Sequence, residues 1–516
     1  MVGSTFLRWV TIVAAAAAIA SAAAASQGRA RDGASHTQLV IVVDGLRPDY
    51  VTPELMPRLV QLGQRGIVFT AHHSVFPTVT RVNASSIATG AYPETHGLLG
   101  NTVYAPAVNA TRGLDTGSRE NLEAIARAGG PLLTAPSLGE ILQQAGRKLL
   151  VVGSGTSGAA FLLNHTVANG AIIHHEFTRP VELGAHVVET LGPPPAHAMP
   201  NAAQNRRAVD AYLKLGLEEI HPDVTLMWIS DPDTTGHAMG VGSPATRESL
   251  KLVDAEIGRV EDALRAKGMA DRTNLIVTAD HGFSTHTGEL KLGALVEPFA
   301  RPMPDGSPDI VVAEGAIHFR AGADADRVAA IVAVLQRRPE VGAIFTRPAP
   351  RGGPEGRVPG TLSFDVARWN HPRSGEILVS ANWTREKNDA GYEGKTAQSG
   401  VAGHGTTSPY DVHIPFIAAG PDFRERATSG VPTGNVDLAP TLLRLLGVKA
   451  PETMTGRVIE EALRNGPSIG SVRVQHVSET ARTVDHAYEM TAHISIAAGH
   501  RYLDFTDVNR AATKGR

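Results

Sequence analysis

Four short segments carry carboxylates and imidazoles in positions where chemistry is expected. Asp44 closes the run Val42-Val43-Asp44-Gly45. In Asp231-Pro232-Asp233-Thr234-Thr235-Gly236-His237, Asp233 and His237 stand four residues apart across an expected tight turn, a spacing that can aim both at one cation. Thr278-Ala279-Asp280-His281-Gly282 joins a carboxylate to an imidazole beside a glycine that allows close backbone approach. His404, in Gly403-His404-Gly405, comes shortly before another apolar run at Pro415. A carboxylate at the mouth of a buried strand is costly unless it is solvated, hydrogen-bonded or bound to a cation. Any one pair would pass for an ordinary loop contact. Together they supply three Asp and three His, an oxygen and nitrogen set suited to two zinc-like divalent ions.

A nucleophile for such a site is present in Val75-Phe76-Pro77-Thr78-Val79-Thr80-Arg81-Val82-Asn83. An alcohol is a poor nucleophile at neutral pH until a cation stabilises its alkoxide, which makes Thr80 the candidate. If Thr80 opens a helix running through Ala88, its backbone N–H also faces a bound anion.

Composition narrows the alternatives. The 516 residues include 21 His and no Cys, which excludes disulfides, thiolate nucleophiles and Cys-ligated metal. With 48 Lys+Arg against 51 Asp+Glu and 42% apolar residues, the chain is neither disordered nor charged in a way that attracts a nucleic acid duplex or anionic lipid. Residues 1–25 carry Arg8, an uncharged stretch and a small-residue end, the layout of a signal peptide, and a retained anchor is the alternative. A periplasmic or secreted product with no stable membrane span after signal removal is expected.

The elements that must hold these groups are legible from periodicity. Gln38 to Val43, Lys148 to Val152, Asp223 to Ile229, Asn274 to Val277 and Pro415 to Ala419 read as buried strands. Leu250, Val253, Ile257, Val260 and Leu264 share one helical face, and Ser137 with Glu140 predicts a capping box. This is an α/β pattern with a mainly parallel central sheet flanked by helices, whose ligand site is expected beyond the carboxyl ends of the strands. Between Gly282 and Gly403 the rhythm breaks into strands at Ile310 to Val312, Ala316 to Arg320, Gly342 to Arg347 and Glu376 to Ser380 and a helix over 324–337. The expected organisation is a core over 26–285, an inserted α+β cap over 286–400, and a second core part over 401–516 with C-terminal strands.

At these residues the chain resembles the alkaline phosphatase superfamily, and within it the type I phosphodiesterase/nucleotide pyrophosphatase family. The resemblance rests on Asp44-Gly45 with Arg47-Pro48-Asp49, the Phe76-Pro77-Thr78-x-Thr80 stretch, Thr89-Gly90-x-Tyr92-Pro93-x-x-His96-Gly97, Pro232-Asp233-x-x-Gly236-His237, Ala279-Asp280-His281-Gly282 and His404-Gly405. It implies an alkaline-phosphatase-like core and two Zn2+ or other divalent ions. Asp233, His237 and His404 would surround one, and Asp44, Asp280, His281 and the Thr80 hydroxyl the other. It further implies in-line attack by Thr80, a phospho-threonine intermediate, and a side-chain amide from Asn101 on a phosphoryl oxygen.

The sequence departs from its relatives at Arg81, where nucleotide-cleaving members commonly carry an aromatic residue. A guanidinium there suits an anionic group on the substrate. The Gly153 to Ala159 segment lacks the cationic pair of one monoesterase branch, which favours diesters or phosphoanhydrides. A small phosphoester, nucleotide or phosphonate substrate is expected, with a monomer or homodimer as the working form. The alternatives are a phosphonoacetate hydrolase, an alkaline phosphomonoesterase, and a nicotinamide-dependent oxidoreductase suggested by the Gly-x-Gly-x-x-Gly pattern Gly153-x-Gly155-x-x-Gly158.

Overall fold

The computed structural model, which describes residues 35–167 and 169–511, gathers the β-branched runs into a ten-stranded sheet. The signal peptide expected over 1–25 lies outside the described residues. The strands are β1 (Thr37–Val43), β2 (Ile67–His73), β3 (Leu149–Gly153), β4 (Ala171–His174), β5 (Thr178–Arg179), β6 (Val224–Ile229), β7 (Thr273–Thr278), β8 (His413–Ala419), β9 (Ala427–Ser429) and β10 (Thr433–Gly434). Their order is β9-β2-β8-β7-β1-β6-β3-β4-β5, with β10 also beside β2. β1 is parallel to β6 and β7, and β3 is parallel to β6 and β4. β8 runs antiparallel to both β7 and β2. That reversal brings the start of β8, and His404 ahead of it, to the edge where β1, β6 and β7 end.

Both faces of the sheet are covered, which is why its strands read as continuous apolar runs. Along β1, Val40 and Val42 face a core containing Ile87 and Ala88, while Leu39, Ile41 and Val43 face one containing Val253, Ile257 and Val260. Each such buried side chain contributes about 1.5–3 kcal/mol, and Ile41→Ala would cost about 2–5 kcal/mol. The helices that carry or support the site are α1 (Thr80–Thr89), α2 (Ser157–Leu163), α3 (Asp233–Met239) and α4 (Pro244–Ala266). Ser243 caps α4 by accepting the Thr246 N–H, and the expected stripe from Leu250 to Leu264 is its buried face. The capping box of Ser137 and Glu140 is formed.

Residues 310–381 build a five-stranded sheet with the helix Ala325–Gln336 beside it. Ser284–His286 and Glu393–Thr396 pair in a separate four-stranded sheet with Trp383–Lys387 and Ala402–Gly403. The C-terminal strands Val474–Arg482, Tyr488–Ala497 and His500–Arg510 form an antiparallel sheet of their own. Tyr488, Met490, Ala492 and Ile494, alternating along one strand, share a core with Ile344 and Phe345 of the five-stranded sheet. Among the described residues no helix is long and apolar enough to cross a membrane.

Candidate active site

The ends of β1, β6 and β7 lie side by side, with Val43 opposite Ile229 and Val42 opposite Thr278. Asp44, Asp233 and Asp280 therefore converge. The Trp228 indole N–H, from β6, donates to Asp44 Oδ2 at 2.8 Å, and the Gly45 N–H donates to Asp280 Oδ1 at 3.1 Å. The backbone N–H of Asp233 donates to the Asp44 carbonyl at 3.0 Å. What remains is one inward oxygen on each carboxylate. Asp44 Oδ1, Asp233 Oδ1 and Asp280 Oδ2 are buried without a hydrogen-bond partner among the described residues. Such orphaned oxygens are expensive unless a cation meets them.

The imidazoles complete the set. Asp233 Oδ1 lies 3.2 Å from His237 Nε2 and 3.3 Å from His404 Nε2, and those two nitrogens are 3.3 Å apart. His281 Nε2 lies 3.0 Å from Asp280 Oδ2, 3.4 Å from Asp44 Oδ1 and 3.2 Å from the Thr80 hydroxyl. Ligands at ~2.0–2.1 Å around a tetrahedral zinc ion are about 3.3–3.4 Å from one another, so the spacing is that of a coordination shell. The Nδ1 atoms of His237, His281 and His404 lie 2.9, 2.9 and 2.8 Å from the carbonyls of Ala402, Gly282 and Thr78. Carbonyls only accept, so each Nδ1 carries the proton and each Nε2 lone pair points inward, the arrangement found around metal-ligating histidines. The residues present fit divalent cation binding.

Electrostatics agree. Burial, with Asp280 and Asp233 nearby, pushes the Asp44 carboxyl well above the usual range. Burial also acts to raise Asp233, but the His237 and His404 imidazoles outweigh it and hold that carboxyl well below the usual range. Burial and the neighbouring His281 bring His404 down to about 4, so it is neutral at physiological pH. Against the effect of burial, Asp233 raises His237 and Asp280 raises His281 above the ordinary imidazole value, so the three crowded carboxylates form a site that favours positive charge.

Thr80 is the first residue of α1, buried, with its hydroxyl beside the second group. Asn101 lies next to that helix: its side-chain oxygen accepts the Arg81 N–H at 3.0 Å, and its carbonyl accepts the Thr116 N–H at 2.8 Å. The amide Nδ2 has no partner among the described residues. Arg81 packs its guanidinium inward with 12% of the side chain exposed, 3.5 Å from Asp115, and its Nε is buried without a partner. Every candidate site residue named from the sequence thus falls at or beside one edge of the sheet.

Three details differ from expectation or were not foreseen. The tight turn expected across Asp233 to His237 is helix α3, because Pro232 presets a helical φ and the Asp231 carboxylate accepts the Thr235 hydroxyl at 2.7 Å; the four-residue spacing is one helical turn. The Gly-x-Gly-x-x-Gly pattern serves packing instead of a dinucleotide: the Gly158 N–H donates to the Gly117 carbonyl, and a Cβ at Gly158 would meet the Thr116 oxygen at 1.9 Å. Trp228 was not foreseen as a site residue. A tryptophan in a buried strand reads as core, and only the register that sets Val42 beside Trp228 puts its N–H on Asp44.

A further histidine and aspartate group lies on the same edge. His73 closes β2, His413 opens β8, and Asp504 comes from the C-terminal sheet. His73 Nε2 is 2.8 Å from Asp504 Oδ1, an ordinary hydrogen-bond length, and Asp504 Oδ2 accepts the Ser495 hydroxyl at 2.8 Å.

The geometry now meets known proteins. The chain is 26% identical to a venom phosphodiesterase of Naja atra over 265 residues, covering 50% of this chain and 27% of that protein. It is also 26% identical to human ectonucleotide pyrophosphatase/phosphodiesterase family member 1 over 289 residues, covering 52% and 27%. The match therefore spans about a quarter of each relative's length. Murine ectonucleotide pyrophosphatase/phosphodiesterase 5, solved as an inactive threonine-to-alanine variant with AMP, shares the fold with a TM-score of 0.56 at 19% identity, over 81% of this chain and 96% of that one. The profile of the type I phosphodiesterase / nucleotide pyrophosphatase family matches residues 38–395, more than half of the sequence, and the chain belongs to that family of the alkaline phosphatase superfamily.

Proposed function

We propose that the chain is an exported two-metal hydrolase that cleaves phosphodiester or phosphoanhydride bonds through a phospho-threonine intermediate. The observation that carries this reading is the Thr80 hydroxyl, 3.2 Å from His281 Nε2, at the edge of a donor set whose inward carboxylate oxygens lack partners. Asp233, His237 and His404 would hold one Zn2+ or similar ion, and Asp44, Asp280, His281 and Thr80 the other. Such ions lower the pKa of the attacking hydroxyl and neutralise charge on the phosphoryl and leaving oxygens.

The chain's own groups do the rest. Thr80 Oγ1 forms the bond to phosphorus as the leaving oxygen departs opposite, and water later releases the phosphoryl group. Asn101, its side-chain oxygen tied to the Arg81 N–H, presents its amide to a phosphoryl oxygen, a contact worth about 2.7–4 kcal/mol in comparable oxyanion sites. Arg81 offers the charge for a second anionic group. Ser154, where a monoesterase branch has cations nearby, is instead bonded to Asn205 at 2.6 Å, which supports diesters over dianionic monoesters. The segment 286–400 acts as a cap over the entrance. In support, the Asn101 loop (Leu98, Leu99, Val103) and the insert (Ala313, Ala316, Trp369) share the walls of an apolar cavity of about 190 Å³.

The test is a panel of bis-p-nitrophenyl phosphate, p-nitrophenyl phosphate, phosphonoacetate and nucleotides, the last prompted by the AMP held by the murine relative. The diester should show the higher kcat/KM of the two nitrophenyl compounds. Faster turnover of the monoester, or phosphate release from phosphonoacetate alone, would replace the reading with one of its rivals. Thr80→Ala should abolish turnover without loss of bound metal.

A further inference from the structure

One carboxylate near the site has no part in the scheme above. The hairpin of Ile310–Ala313 and Ala316–Phe319 has a two-residue loop, Glu314-Gly315, with φ of 49° and 81°. Positive φ at both positions is the signature of a type I′ turn, where Asn or Asp is usual before Gly and a long side chain is disfavoured. Glu314 nevertheless occupies it, and its side chain points into the core protein. The Thr102 N–H, next to Asn101, donates to Glu314 Oε2 at 2.9 Å. The fit is close: a Cβ at Gly100 would meet the Glu314 Cβ at 2.6 Å, so the loop before Asn101 tolerates only glycine under this side chain. Burial acts to raise the carboxyl, and the Arg81 guanidinium is the first charge that opposes it.

These contacts complete the anchoring of Asn101. The side-chain oxygen of Asn101 is held by the Arg81 N–H, its carbonyl by the Thr116 N–H and hydroxyl, and the N–H of the next residue, Thr102, by Glu314. The amide Nδ2 has no partner among the described residues. Two of the three anchors come from the core. The third crosses from the inserted segment.

We propose that Glu314 is a positioning residue: the insert uses this carboxylate to fix the Asn101 loop, so that the amide meets the phosphoryl oxygen. This deepens the phosphoryl-transfer reading and rests on it. Glu314 touches neither the metal ligands nor Thr80, and it works through Asn101.

A double-mutant cycle separates that role from a general structural one. Glu314→Ala, Asn101→Ala and the double variant are compared in kcat/KM for bis-p-nitrophenyl phosphate and in Kd for orthovanadate, with Tm measured for each. Glu314→Ala should lower kcat/KM by about 10–100-fold, the range for loss of an outer-shell partner. In the Asn101→Ala background the same change should cost less than about twofold. Glu314→Gln, whose amide oxygen still accepts the Thr102 N–H, should recover most of the loss. Equal losses in both backgrounds, or no loss in either, would overturn the proposal. Should Glu314→Ala not fold, Glu314→Asp, which keeps the charge but withdraws it from the loop, runs the same cycle. A chain that hydrolyses no ester but binds vanadate would defeat the function, while the Kd cycle would still decide this inference. A chain that binds no vanadate at all would defeat both.

Discussion

Two histidine and aspartate groups sit on one edge of the same sheet, yet they are built differently. Around Asp233 and Asp280 the donors stand 3.0–3.4 Å apart and the inward oxygens have no partner. Around Asp504 the carboxylate meets His73 at 2.8 Å and its other oxygen takes the Ser495 hydroxyl, so both carboxylate oxygens have partners. The His73 ring also stacks on Tyr502 of the same C-terminal strand, with 5.5 Å between ring centroids. Residue type alone therefore does not distinguish a metal site from a clamp. Spacing and unmet valence do: the first group is expensive as it stands and suits a cation, while the second ties the C-terminal sheet to β2 and β8.

That contrast can be broken by experiment. The largest effect is expected for His404→Ala. It removes a donor of the first group, and it should strip bound metal and lower kcat by more than the roughly 10–100-fold that follows loss of an outer-shell partner. Metal analysis of the purified protein and a chelator titration check it. Asp504→Asn should leave metal content and kcat/KM unchanged and lower stability by about 1–3 kcal/mol, read from urea unfolding, because a buried hydrogen-bonded pair is lost. Metal lost in the Asp504 variant would show that the second group also binds an ion and erase the distinction.

The subtlest effect concerns Asp44 in protein freed of metal by chelator. Its carboxyl is raised in the folded state, so the native protein binds that proton more tightly than the unfolded chain does. The associated stability is present below the ordinary carboxylate value and is lost as pH rises through the folded one. At pH 7.5, Asp44→Asn should therefore raise the Tm of the metal-free protein, and the gain should shrink as pH falls toward about 4. In metal-loaded protein the same substitution should lower Tm, since a ligand is removed. Destabilisation in both states would mean that Asp44 is held by protein contacts alone.

Much of this was legible in the primary structure because it is local. The strands around Asp44, Ile229 and Thr278 are short buried runs, and in a parallel sheet their ends must lie together, so the residues that follow them meet without any further information. The helix α4 and its stripe, and the capping box at Ser137, follow from spacing within one element. β2 was harder. Val68 to His73 mixes buried and exposed positions, and its place between β8 and β9 depends on segments hundreds of residues away. The same holds for Glu314, whose turn reads as an unremarkable hairpin until it packs on the loop of Asn101 and Thr102.

The amino-acid sequence by itself determined which groups could do the chemistry, the family they belong to and the strands that deliver most of them, because those depend on residue type, order and short-range periodicity. Only the tertiary structure decided which carboxylate oxygens lack partners, that Trp228 steadies Asp44, that His73 and Asp504 pair, and that Glu314 accepts the Thr102 N–H beside Asn101. Hydrogen bonds and unmet charges are settled by distances of a few tenths of an ångström between groups far apart in the chain, and such distances exist only once the sheets have packed.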